Sequence, residues 1–168
     1  MDNAYYNTKP IGSATALVGI LNNRTLNIAN IGDSGFLIVR FKNSEPYVML
    51  KSKEQQHSFN TPYQLSNFPT KADLVYLEQQ GRVNKMKAMK KVYQKISSNI
   101  VCQDTPACAH NYSFDLKHGD IIVSATDGVF DNLFQFEILQ IIKNFKQEQM
   151  DEEICTSQQA HSLANVIA

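Results

Sequence analysis

The chain has no apolar run long enough to span a bilayer, no net charge and no CxxC pair among its 168 residues. Each absence excludes something. Without about 20 consecutive apolar residues there is no membrane-spanning helix to expect. With 16 basic and 16 acidic residues cancelling, bulk charge gives no reason to expect nucleic acid or an anionic membrane as partner. The three cysteines, Cys102, Cys108 and Cys155, are odd in number and suit reduced thiols, so an intracellular setting is expected. Cys102, Cys108 and His110 fit no standard zinc spacing and lack an evident fourth ligand. The start, Met1-Asp2-Asn3-Ala4-Tyr5-Tyr6, is polar and reads as neither secretory nor transit signal. There are no internal repeats and no low-complexity tracts.

What is present is a 43% hydrophobic chain of single-domain length. Its centre of interest is Gly119 to Phe134, GDIIVSATDGVFDNLF. Ile121-Ile122-Val123-Ser124-Ala125, bounded by turn residues, predicts a strand buried on both faces. Asp127-Gly128 ends it. A carboxylate at a strand end beside a glycine can hold a hard cation, which keeps several waters. It can equally be a turn residue or a helix cap, and the residues alone leave both open.

Elsewhere, apolar β-compatible runs at Ala14–Leu21, Leu26–Ile31, Phe36–Phe41 and Tyr47–Leu50 are joined by turn residues. Connections this short predict one four-stranded antiparallel meander, with Asp33 at one end of it. Residues 1–11 and 51–70 read as irregular. Asp73 to Gln80 predicts a helical turn stopped by Gly81. Lys85, Lys87, Lys90, Lys91 and Lys95, interleaved with Met86, Met89, Tyr93 and Ile96, predict a basic amphipathic helix. Its lysines are either simply solvated or face an acidic partner or membrane surface.

Tyr112, Phe114 and Leu116 alternate as a strand expected to hairpin through His118-Gly119 into 121–125. Asp131 or Asn132 is expected to cap the next helix, with Phe134, Ile138, Ile141, Ile142 and Phe145 on its apolar face. A last helix is expected from Asp151-Glu152-Glu153, with Ala160, Leu163, Ala164 and Ile167 inward. Strands followed by helices, without βαβ alternation, predict an α/β (α+β) fold of two packed, mainly antiparallel sheets flanked by helices.

Three stretches in order carry a resemblance: GSATA at 12–16 with ANIGDSG at 29–35, QQHSFNTPYQL at 55–65, and LKHGDIIVSATDGVFDNL at 116–133. They resemble the metal-dependent protein serine/threonine phosphatases of type 2C, in the branch that includes the mitochondrial enzymes. The resemblance implies a single partial phosphatase-like domain over 1–168, with a variable insert at about 70–111. It also implies two Mg²⁺ or Mn²⁺ ions between the sheets, a phosphoprotein substrate and a metal-activated water. Asp127 matches the central metal-binding carboxylate. Asp33 matches one that helps hold a further, weaker metal in some members, though a turn carboxylate would look the same. A mitochondrial location follows from the branch alone.

The same resemblance places a first Asp-Gly metal segment and a phosphate-binding Arg before Gly12, and a late acidic strand after Ala168. None is found within these residues, and Arg24, Arg40 and Arg82 match no such position. The dinuclear site is therefore expected not to close within the chain. Two readings of function follow: a portion of a phosphatase, inactive alone, or a non-catalytic phosphatase-like docking subunit. In either case protein partners are expected to cover open sheet edges.

Overall fold

The computed structural model describes residues 1–98, 103–149 and 157–168. The elements that matter are β2 (Ala16–Asn22), β3 (Thr25–Ile31), β4 (Gly35–Lys42), β5 (Glu45–Lys51), β9 (His110–Asp115) and β10 (Ile121–Ala125). They form two three-stranded antiparallel sheets, ordered β2-β3-β9 and β10-β4-β5. Between β5 and β9 lie short strands β6 (Gln56–Ser58), β7 (Thr61–Pro62) and β8 (Leu65–Asn67), then helices α2 (Lys71–Gln79) and α3 (Val83–Ser97). Strand β8 pairs with β1 (Gly12–Ala14). The chain begins with a short helix, α1 (Asp2–Asn7), where an irregular lead-in is expected, and 51–70 holds three short strands rather than only loop. Helices α4 (Asp127–Phe130), α5 (Gln135–Gln149) and α6 (Ser157–Ile167) follow β10.

The two sheets pack as the expected sandwich with helices alongside, but the strands are distributed differently. The four runs from 14 to 50 are two hairpins in different sheets, not one meander. Asn23, at φ 53°, turns β2 into β3; Asn43 and Ser44, both at positive φ, turn β4 into β5. Between the hairpins the chain crosses from one sheet to the other at Gly32-Asp33-Ser34. Likewise β9 does not hairpin with β10: it pairs with β3, opposite Leu26 through Phe114.

Strand β4, rather than β10, is the strand buried on both faces. Its alternate residues divide between two apolar clusters. Phe36 and Ile38 pack with Leu26 and Ile28 of the facing sheet. Leu37 and Val39 pack with Val123 of β10, with Ile138, Ile142 and Phe145 of α5, and with Leu163 and Ile167 of α6. Period-two alternation makes this possible: neighbouring side chains leave a strand on opposite sides. Among the described residues strand β10 has β4 as its one partner, and it leaves Ile122 41% exposed.

The helices partly follow expectation. Thr70 and Asp73 form a reciprocal capping box at the start of α2, and Gly81 takes the left-handed conformation (φ 65°) after it. In α3 the Met86, Met89, Tyr93 and Ile96 stripe is half-buried rather than buried. Neither Asp131 nor Asn132 caps α5; both follow α4, where Asn132 Nδ2 donates to the Gly128 carbonyl. At the start of α5 Glu137 instead accepts from the Phe134 N–H. Phe134 lies outside that helix's packed face and is exposed. In α6 Leu163 and Ile167 point inward while Ala160 and Ala164 are exposed. The expected helix start at 151–153 lies outside the described residues, as do Cys102 and Cys155. Cys108 is a free thiol.

Candidate functional site

Antiparallel register sets the two candidate carboxylates at one end of one sheet. Gly35 opens β4 directly opposite Ala125, which closes β10. Asp33 lies two residues before the first and Asp127 two residues after the second, so both leave the same end of the same sheet. Asp33 is half-buried and Asp127 exposed. Asp127 is the first residue of α4 and its Oδ1 accepts from the Gly128 N–H at 2.8 Å.

The turn carrying Asp33 is built tightly. Gly32 sits at φ 102°, and a Cβ there would lie 2.4 Å from Thr15 Cγ2 and 2.7 Å from the Tyr63 carbonyl oxygen. Only glycine fits without moving backbone. Thr15 Oγ1 and Ser34 Oγ share a hydrogen bond of 2.9 Å, so the 12–16 and 29–35 motifs meet side chain to side chain. Fully buried Asn30 donates through Nδ2 to the Ser34 carbonyl at 2.8 Å. Gly35 is equally confined, since its Cβ would meet Ser52 Oγ at 2.5 Å. That oxygen accepts from the Phe36 N–H.

The 55–65 motif wraps this turn. Buried Gln55 accepts from the Gly32 N–H through its side chain, donates its own backbone N–H to the Gly32 carbonyl at 3.0 Å, and donates Nε2 to the Cys108 carbonyl at 2.7 Å. One side chain thus holds the Asp33 turn to the loop before β9. His57 stacks on Tyr63 with ring centroids 4.0 Å apart. Its Nε2 lies 2.9 and 3.0 Å from the two oxygens of Asp104, which is buried and also accepts from the Gln64 N–H at 2.9 Å. Sequence reasoning singled out neither Gln55 nor His57 individually, and missed Asp104. The amide-and-histidine cluster QQH was the available signal for the first two. Nothing local marks Asp104, because its partners lie 40 and 47 residues away.

The donor chemistry at this sheet end is oxygen only, which suits Mg²⁺ or Mn²⁺ rather than a soft metal. Its number is insufficient. Among the described residues no group of three His, Cys, Asp or Glu side chains comes together as a metal site. Two carboxylates with water can hold a hydrated cation, but they do not complete a dinuclear centre.

Three motifs meeting around one carboxylate-bearing turn agree with what comparison finds. The family described as Protein phosphatase 2C matches residues 2–165. This chain belongs to the protein phosphatase 2C family. It is similar to the human "Protein phosphatase PTC7 homolog", 38% identical over 160 residues covering 92% of this chain and 43% of that protein. The Danio rerio homolog is 36% identical, over 94% of this chain and 44% of its own length. Arabidopsis thaliana "Probable protein phosphatase 2C 55" is 30% identical over 98% of this chain. Among solved structures, the photosystem II phosphatase PBCP superposes with a TM-score of 0.64 at 26% identity, covering 99% of this chain and 49% of its own. The chain therefore spans less than half the length of these relatives. The fold, a mixed α/β arrangement of antiparallel sheets and helices, is that of the family.

Proposed function

We propose that these residues form part of a Mg²⁺- or Mn²⁺-dependent protein serine/threonine phosphatase acting on phosphoproteins, and that they are inactive as this chain alone. The observation that carries the reading is the placement of Asp33 and Asp127 at one end of the β4-β10 sheet, opposite the Gly35–Ala125 pair. Asp127, exposed at the strand end, supplies the principal carboxylate. Asp33, fixed by the Gly32 arch and by Gln55, supplies an accessory one. A metal bound there would lower the pKa of a coordinated water and neutralise phosphate charge. The lack of a third acidic donor among the described residues supports inactivity in isolation. The test is hydrolysis of a phosphoserine peptide with Mn²⁺. The purified chain should match an Asp127→Asn control. Turnover that is Mn²⁺-dependent and lost in the variant would overturn the proposal of inactivity.

The alternative, a docking subunit without catalysis, is favoured by one surface. Among the described residues strand β2 pairs with β3 alone, and it exposes Val18, Ile20 and Leu21, Ile20 at 65%. An unpaired strand edge with apolar side chains suits a protein partner. Sedimentation at micromolar concentration checks it: a stable monomer unaffected by Ile20→Glu would remove the partner. No described helix is long and apolar enough to cross a membrane. An intracellular, mitochondrial address is proposed on the resemblance of the 55–65 motif. Cell fractionation finding the protein outside mitochondria would remove it.

A further inference from the structure

Helix α3 concentrates charge in a chain that has none overall. Between Val83 and Ser97 it carries five lysines and no acid, while the whole sequence balances at zero. All five are exposed, and none has an ion-pair or side-chain hydrogen-bond partner among the described residues. The arrangement works against the helix itself. Lys87, Lys91 and Lys95 stand four residues apart on one face, where like charges repel. Lys85 lies in the first turn, beside the positive end of the helix dipole, and Arg82 offers no side-chain cap. No acidic side chain among the described residues pairs with these lysines, and only Lys95, in the last turn, gains from the negative end of the dipole.

We propose that the Lys87-Lys91-Lys95 face of α3 is a docking surface for an extended acidic polypeptide segment. Residues four apart rise about 6 Å along a helix. Alternate residues of an extended strand are about 6.6 Å apart. A segment with acids at every second position therefore places its carboxylates in step with the three ammonium groups. A bilayer fits less well. Surface-binding helices bury their apolar face, whereas here Met86, Met89, Tyr93 and Ile96, on the face away from this row, are half-buried and α3 packs against α2. A single-stranded nucleic acid also fits less well, since the lysine face offers no aromatic ring for bases to stack on and α3 contains no arginine. The surface rests on the charge pattern of α3 and not on the phosphatase reading.

The test uses the purified chain and a fluorescein-labelled peptide of about twelve residues alternating Glu and Ser, long enough in extended form to span the row. Fluorescence anisotropy at low salt should show saturable binding that weakens as salt rises. Lys87→Ala combined with Lys91→Ala and Lys95→Ala should weaken it about tenfold or more. Alanine is the strongest helix former, so circular dichroism should show helix content retained. No binding, or binding unchanged in the triple variant, overturns the proposal. Tighter, lysine-dependent binding of an oligouridine or of phosphatidylserine vesicles also overturns it, assigning the face to nucleic acid or to membrane. Because the peptide carries no phosphate, loss of the phosphatase reading would leave this outcome untouched.

Discussion

Arg40 grips Asp120 through two parallel hydrogen bonds, Nε to Oδ1 at 2.7 Å and Nη2 to Oδ2 at 2.6 Å. The pair ties β4 to the turn that starts β10, at the far end from Asp33 and Asp127, and Arg40 also lies over the Phe114 ring of the other sheet. Burial pushes the Asp120 carboxyl up, but the Arg40 hydrogen bond, the Lys117 N–H and the charges of both residues outweigh it, and the net shift is downward. A lowered folded value means the pair stabilises fully above the ordinary carboxylate range near 3.9. That stabilisation fades as pH falls through the lowered value. The melting-temperature gap between the native chain and Asp120→Asn should be constant from neutral pH down to about 5 and close below about 4. A gap that widens on acidification would contradict the assignment.

Substitution at the two confined glycines should be graded. At Gly35 an added Cβ must displace Ser52 Oγ, a side chain, and disturb its bond from the Phe36 N–H. Overpacking of this kind costs about 1–3 kcal/mol. At Gly32 the obstacles include the Tyr63 carbonyl of the backbone, and φ is positive. Gly32→Ala should therefore destabilise more than Gly35→Ala in urea unfolding. Equal midpoints for the two variants would show that the Gly32 arch relaxes.

Ile142 and Phe134 stand at opposite extremes of the α5 region. Ile142 is fully buried, and Ile142→Ala should cost about 2–5 kcal/mol by chemical denaturation. Phe134 is 72% exposed, and Phe134→Ala should fall within about 0.5 kcal/mol of the native chain. Its ring stacks only on Phe136, itself exposed, with centroids 5.8 Å apart, so a large effect at Phe134 would mean that it packs against more than that neighbour.

Asp104 should matter through an amide it does not own. Asp104→Ala removes the acceptor of the Gln64 N–H and the partner of His57. Leaving a part-buried donor unmatched costs about 1–3 kcal/mol. Amide exchange at Gln64 should accelerate while that of β4 amides changes little. Uniform acceleration across the chain would instead indicate general unfolding.

The elements of this fold were largely legible because β2, β3, β4, β5 and α5 each carry a clear apolar period. Their partnership was not. Gly32-Asp33-Ser34 is as short as a hairpin turn, and nothing in its residues distinguishes a hairpin from an arch that passes between two sheets. The distinction lies in Thr15, Tyr63 and Gln55, which surround Gly32 from elsewhere in the chain. The strand at 110–115 was misplaced for the same reason, since its match to Leu26 and Ile28 is a matter of facing surfaces rather than local pattern. Asp33 and Asp127 were singled out through their motifs, and the β4-β10 register sets them at one end of one sheet. The His57–Asp104 contact was not, because 47 residues separate two side chains that are unremarkable in their own neighbourhoods.

Strand β4 supplies buried side chains to both apolar clusters, two facing each way. The consequence is mechanical coupling. Any tilt or slide of β4 that relieves crowding under the helices must drive Phe36 and Ile38 into the opposite cluster, because interiors packed at crystal-like density transmit strain. The layers on its two sides therefore melt as one cooperative unit, and a tryptophan probe at Phe145 and another at Phe114 should report a single transition midpoint.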